Sequence, residues 1–101
     1  MQKTMTARHC ELAEEYKQHA DREIDRLSRY SDNILSADLI VSQEKYRYMV
    51  ELNVHVGGHI LTSKEENAEA YTALDQAVNK MESQIKKHNG KLHDHRTRRN
   101  Q

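Results

Sequence analysis

Phenylalanine and tryptophan are missing from this chain, and cysteine occurs once. Five tyrosines are the only large aromatic residues, so the core has to come from Leu, Ile, Val, Met and Tyr. With 36% hydrophobic residues that core is lean, which implies modest stability. A single cysteine, Cys10, excludes an intrachain disulfide and makes a reduced compartment, the cytoplasm, the simplest home. No apolar run approaches the ~20 residues that cross a bilayer. The opening MQKTMTARHC has no apolar stretch of the signal-peptide kind. A soluble, non-secreted chain without a membrane partner is therefore expected.

What is present is charge, and it is unevenly placed. The formal net charge is zero. Residues 80–101 nevertheless carry seven Lys and Arg against two acids, a net +5, while residues 1–79 carry nine against fourteen, a net −5. A basic end on a neutral small protein suits a polyanionic partner such as nucleic acid, although many chains simply end in a solvated charged tail. The charged fraction of 32% does not signal disorder, because the apolar residues recur periodically. At 101 residues there is room for one core.

The periodicities give an order β-α-β-β-β-α. Residues 3–8 alternate as a strand with Met5 and Ala7 on one face, and Lys3 at its end has a stem long enough to reach solvent. Over residues 11–30 the apolar side chains Leu12, Tyr16, Ala20, Ile24 and Leu27 recur at helical spacing. Arg22, Arg26 and Arg29 make a second stripe away from that face, at about 100° per residue. Ser31-Asp32-Asn33 is a turn. Residues 34–42 form a strand with Ala37, Leu39 and Val41 to one side. Residues 46–56 form the clearest strand, with Tyr48, Val50, Leu52, Val54 and Val56 alternating with polar neighbours. Gly57-Gly58 supplies a hairpin turn and residues 59–64 a short strand.

A second helix is expected over 68–89, with Asn67 as N-cap, Glu69 at the positive end of the dipole, and a buried face of Tyr71, Leu74, Ala77, Val78, Met81 and Ile85. Asn89-Gly90 is a natural stop. This predicts a domain over residues 1–90 and a flexible basic tail over 91–101. The fold class is α+β: a four-stranded sheet carrying two helices on one face, a two-layer sandwich.

On the second helix Lys80 and Lys87 lie seven apart on the solvent side, Lys86 lies to one flank, and Lys91 continues the line if the helix continues. Two helices side by side would place these lysines and the Arg22–Arg26–Arg29 stripe on one surface, a basic cleft able to grip phosphates. Glu15, Asp25 and Glu82 dilute that field, as on any charged helix exterior. Double-stranded RNA-binding domains share this layering, but they grip phosphate through lysines opening the last helix. Here that segment, Lys64-Glu65-Glu66-Asn67-Ala68-Glu69, is acidic, so that mode is not expected.

Several motifs fall in a fixed order: Arg29-Tyr30, Val41 to Lys45, Leu52-Asn53-Val54-His55-Val56 before the glycine pair, Glu69-Ala70-Tyr71-Thr72-Ala73-Leu74-Asp75, then Lys80 and Gln84-Ile85-Lys86-Lys87. As an ordered set from Met1 to about Leu92, they resemble the short ribosome hibernation-promoting factors, also called sigma-54 modulation proteins or ribosome-associated inhibitors. The resemblance implies a non-enzymatic cytoplasmic protein with no cofactor and no small-molecule substrate. Such a protein binds ribosomal RNA of the small subunit, occludes the channel of messenger and transfer RNA, and inhibits translation in stationary phase or stress.

Carried over by position, the resemblance marks Lys17, Arg22, Arg26, Lys80, Lys86, Lys87 and Lys91 as RNA-binding; Arg29 joins them on its helical phase. The chain departs from the family pattern at Glu23, Glu69 and Ser31, and at Asn89-Gly90, which interrupts a usually continuous basic helix. A brief basic C-terminal end resembles the branch that helps inactive ribosomes pair, with a separate small modulation factor. The alternatives are a ribosome-monomer-stabilising inhibitor of the same family, or a protein-interaction module with a basic tail.

Other constellations are weaker. His9-Cys10 offers a nucleophile and a base as sequence neighbours, without an oxyanion hole or pocket to use them. His93-Asp94-His95 has two metal-ligand types but not the third and fourth fixed ligands. Tyr46 on the long strand is available for stacking or for packing.

Overall fold

Alternation of apolar and polar residues sets the sheet, and its register sets everything placed upon it. The computed structural model describes the backbone of residues 1–100 and the side chains of residues 1–89. The elements are β1 (Gln2–Arg8), α1 (Glu14–Asp25) with a 3₁₀ turn over Arg26–Arg29, β2 (Ile34–Glu44), β3 (Arg47–Val56), β4 (His59–Asn67) and α2 (Ala70–Asn100). The four strands form one sheet in the order β1-β2-β3-β4. β1 runs parallel to β2, the crossover being α1, while β2–β3 and β3–β4 are antiparallel hairpins. The α+β two-layer architecture expected from sequence is the one observed.

The helix-covered face of the sheet carries the core. Ala37, Leu39 and Val41 of β2 and Val50, Leu52, Val54 and Val56 of β3 are buried against Tyr16, Ala20, Ile24 and Leu27 below α1 and Ala73, Leu74, Ala77, Val78, Met81 and Ile85 below α2. Ile34 is buried as well, although it is three residues from Ala37 and strict alternation would put the two on opposite faces. A bulge between Ile34 and Ser36 corrects the phase and turns Leu35 out to solvent. Among the described residues the one buried polar side chain, Ser63, donates to the carbonyl of Ala77 at 2.8 Å and so ties β4 to α2.

The element boundaries move by one or two residues in β1, β2 and β3, and elsewhere as follows. The helical arm expected over 11–30 is a true α-helix only for Glu14–Asp25 and tightens into the 3₁₀ turn. β4 continues to Asn67 because its backbone ladder with β3 runs on through Glu65 and Glu66, whose carboxylates face Lys80 and Arg47. α2 begins at Ala70; Asn67 still caps the approach, its Oδ1 accepting the Glu69 N–H at 3.0 Å. Finally, α2 runs through Asn89-Gly90, where sequence placed its end. A single helical glycine costs only about 1 kcal/mol, and the Asn89 side chain donates to the Tyr30 carbonyl, an anchor that favours continuation. α2 therefore spans the expected domain boundary, and the predicted tail over 91–101 lies outside the described side chains.

Tyr71, expected in the core, is 44% exposed, and Ala73, two residues on, is buried beside Leu74. Lys3 lies on the helix-covered side of β1 and reaches Asp21 at 2.8 Å and Asp25 at 2.5 Å on α1. That is why a lysine is tolerated on that face. Among the described residues no helix is long and apolar enough to cross a membrane.

Candidate nucleic-acid interface

α1 and α2 lie side by side on the sheet and run in the same direction. Near their starts the Tyr16 hydroxyl donates to the Ala70 carbonyl at 3.0 Å and the Tyr16 and Tyr71 rings meet edge-on at 5.0 Å. One turn further on His19 Nε2 and Asp75 Oδ1 are 2.9 Å apart. Near the far end Lys86 Nζ stands 4.8 Å from the centre of the Tyr30 ring, and Asn89 reaches the Tyr30 carbonyl. These contacts fix the helical phase: the side of α2 holding Asp75, Glu82 and Asn89 faces α1. The opposite flank faces β4, to which Gln84 donates through the Thr62 carbonyl at 2.7 Å.

With that phase the basic residues can be placed. Arg22 and Arg29 are exposed on the outer side of the first helical arm, and Arg26 is exposed between them with its Nη1 2.6 Å from Glu23. Lys17 is exposed on the β1 side, beside Met5 and Asp21. Lys86 lies towards α1 and is 3.6 Å from Glu82, one turn back. Lys80 is drawn to the other flank, where it pairs with Glu65 of β4 at 3.1 Å; Lys87, seven residues on, shares that flank and is exposed. Lys91 lies outside the described side chains. Among the described residues Lys17, Arg22, Arg29 and Lys87 hold no ion pair. The bridges of the other three are solvent-exposed pairs, each worth about 0–1 kcal/mol and easily exchanged for a phosphate.

One expectation is corrected by this geometry. The groove between the helices is not a basic cleft. Asp75, His19, Glu23 and Glu82 occupy it, while the cations stand on its rims and on the two outer flanks. The reason is phase: Lys80 and Lys87 sit on the side of α2 turned to β4, so side-by-side packing separates them from the arginine stripe.

Sequence reasoning missed the polar links that align the helices. Tyr30, Glu82 and Lys86 form one of them. The Tyr30 hydroxyl, hydrogen-bonded to Glu82, holds that carboxyl below the usual range, and the same bond raises the phenol of Tyr30. Hydrogen bonds that Lys3 donates to Asp21 and then Asp25 raise its ammonium above the ordinary value. Burial raises the Tyr16 phenol, with the charge of Asp75 adding to it. The i,i+4 pairing of Glu82 with Lys86 was a readable signal for the first of these; the partners across the helices were not.

The other face of the sheet is open and self-satisfied. Thr4 donates to Asp38 at 2.7 Å, Thr62 to Asn53 at 2.6 Å and Asn53 to Glu51 at 2.9 Å; the Asn53 bond, with Lys64 nearby, lowers Glu51. A broad hollow of about 600 Å³ lies there over Ile40 and Met49, ringed by Arg8, Arg47, Lys64 and acids. The half-buried Cys10 packs against the core, with Sγ 3.6 Å from the Val41 carbonyl. Tyr46 stands almost wholly exposed on the β2–β3 turn. The arrangement offers long cations for binding anions.

Comparison with known proteins gives one consistent result. The sequence model of the family described as "Sigma 54 modulation protein / S30EA ribosomal protein" matches residues 4–93. The chain is 33% identical over 78 residues to the ribosome hibernation promoting factor of Acidithiobacillus ferridurans, covering 74% of this chain and all of that protein. It is 26% identical over 95 residues to the factor of the same name from Escherichia coli K12, covering 94% and 100%. It is also 34% identical over 87 residues to the ribosome hibernation promotion factor of Bacillus subtilis, of which it spans 46%. The crystal structure of the Thermus thermophilus Protein Y N-terminal domain superposes with a TM-score of 0.81 at 28% identity, covering 86% of this chain and 98% of that one.

Proposed function

The chain belongs to the sigma-54 modulation protein / S30EA ribosomal protein family, and from that premise we propose that it is a cytoplasmic ribosome hibernation factor. It lays its two-helix surface on ribosomal RNA of the small subunit, occludes the channel of messenger and transfer RNA, and so inhibits translation in stationary phase or stress. It is a binding protein, not an enzyme.

The observation that carries this reading is the placement of the cations. Parallel packing of α1 and α2 leaves Arg22, Arg26, Arg29, Lys86 and Lys87 exposed on the helical layer, with the core filling the side beneath. A polyanion meeting that layer finds cations on both rims and on the flank of α2, spaced for several phosphates at once. Each contact releases counterions, so affinity is steeply salt-dependent. The excess of basic residues beyond Asn79 favours the branch in which inactive ribosomes pair, assisted by a separate small modulation factor.

Sucrose-gradient sedimentation tests the proposal. The protein should travel with small subunits, leave them as salt is raised, and shift ribosomes towards paired particles when the modulation factor is added. Charge reversal of Arg22, Arg29, Lys86 and Lys87 together should abolish co-sedimentation with an unchanged circular dichroism spectrum. Undiminished binding by that folded variant would overturn the surface assignment.

A further inference from the structure

The middle of the α1–α2 groove holds two carboxylates and an imidazole on a layer otherwise edged with arginine and lysine. We propose that His19, Glu23 and Asp75 form a site for one divalent transition-metal ion of the Zn²⁺ class. Their ligand atoms all lie within 4.8 Å of one another, and the nearest pair, His19 Nε2 and Asp75 Oδ1, is 2.9 Å apart. An ion bound tetrahedrally at about 2.1 Å puts its ligand atoms about 3.4 Å from each other. One pair is closer than that value and none is farther apart than 4.8 Å, so closing the site takes side-chain shifts of about an ångström.

The donor set is more than an acidic cluster. His19 and Glu23 are four residues apart on one face of α1, and Asp75 comes from the other helix. An imidazole nitrogen with two carboxylate oxygens suits Zn²⁺, Co²⁺ or Ni²⁺ and disfavours Mg²⁺ and Ca²⁺, which take oxygen alone. Three protein ligands leave a position for water. The backbone under each ligand is held by buried neighbours, Ala20 and Ile24 on α1 and Leu74 and Val78 on α2.

Outer contacts orient the ligands, as metal sites require. The Tyr71 and His19 rings meet edge-on with their centres 5.3 Å apart, and Arg26 holds Glu23 through one carboxylate oxygen, leaving the other to offer. On binding, the ion takes the place of the hydrogen between His19 Nε2 and Asp75, and the neutral imidazole ligates through Nε2 with its one hydrogen on Nδ1. The ion joins α1 to α2 directly, and it neutralises the acids that interrupt the cationic layer.

The test uses the free full-length chain without ribosomes, so its failure and that of the ribosome assignment are separable. Titration with Co²⁺ should give visible absorption bands that saturate at one ion per chain, and Zn²⁺ should displace them while excess Mg²⁺ does not. His19→Gln and Asp75→Asn should each weaken Zn²⁺ binding by roughly tenfold or more. The double variant His93→Gln, His95→Gln should bind as the wild type does. In wild-type protein, NMR should show the His19 ring nitrogen shifting on Zn²⁺ addition, a readout independent of how the variants fold. Zn²⁺ affinity unchanged in His19→Gln, or ring shifts confined to other histidines, would overturn the site.

Discussion

At the scale of single residues, Tyr30 joins the end of the first helical arm to α2 in three ways: its carbonyl receives Asn89, its ring lies under Lys86, and its hydroxyl meets Glu82. The hydroxyl contact has a pH signature. Glu82 is lowered from 4.5, so its contribution to stability is present above that value and is lost as pH falls through the lower folded value. Tyr30 is raised from 10.0, so its contribution is present below that value and is lost as pH rises through the higher folded value. Tyr30→Phe should remove both flanks. An NMR titration of the Glu82 side-chain carboxyl should find its midpoint moved upward in that variant, towards the ordinary glutamate range. Tyr16 gives a second case. Its buried hydroxyl satisfies the Ala70 carbonyl, so Tyr16→Phe should cost about 1 kcal/mol and lower the melting temperature by roughly 4–8 °C. None of these partners was readable from sequence. Periodicity reports which face a residue occupies, whereas the partners across the groove depend on the relative shift of two helices.

At the scale of elements, the legible parts were those whose side chains repeat with a fixed period. β3 alternates without a break, and both helices show their buried stripes. The illegible parts were set by something other than period. The bulge at Leu35 exists because Ile34 and Ala37 must share a face. β4 extends through charged residues because a backbone ladder does not need apolar side chains. Glu65 and Glu66 read as a loop only while their partners Lys80 and Arg47 are unknown. Asn89-Gly90 reads as a stop, yet the docking of Asn89 on Tyr30 carries the helix on. Gly57 marks a place where local chemistry does decide: its φ is +59°, and a β-carbon there would meet nothing within 4 Å. Gly57→Ala should therefore destabilise through backbone strain alone, by about 1 kcal/mol. Gly57→Asn should cost less, because asparagine tolerates the left-handed region. Urea denaturation of the two variants checks the order. For α1 the deciding residue is Ile24, fully buried between the helix and the sheet. Ile24→Ala should cost 2–5 kcal/mol, approximately the range for a large aliphatic side chain removed from a packed core.

At the scale of the whole molecule, net charge misleads and its distribution informs. The sequence located the basic end and the arginine stripe, and the fold divided the cations into two classes that no count distinguishes. Lys17, Arg22, Arg29 and Lys87 stand without an ion pair among the described residues, whereas Arg26, Lys80 and Lys86 each hold an acid. A cation of the first class can neutralise a phosphate outright. One of the second class must first release its carboxylate, and the freed acid then repels the same phosphate. Affinity for a single-stranded or irregular RNA surface falls with salt at a slope of about 0.7–0.9 per phosphate neutralised. On the proposed two-helix mode of binding, Arg29→Gln should therefore lower the logarithmic salt slope by nearly that amount and weaken binding. Lys80→Gln, which leaves Glu65 unpaired beside the interface, should change the slope less. Pelleting of small subunits with each variant over a series of KCl concentrations measures both slopes. Equal slopes for the two variants would mean that the pairing of Lys80 with Glu65 does not persist on the ribosome, and a larger change for Lys80→Gln would move the contact surface from the arginine stripe to the β4 flank.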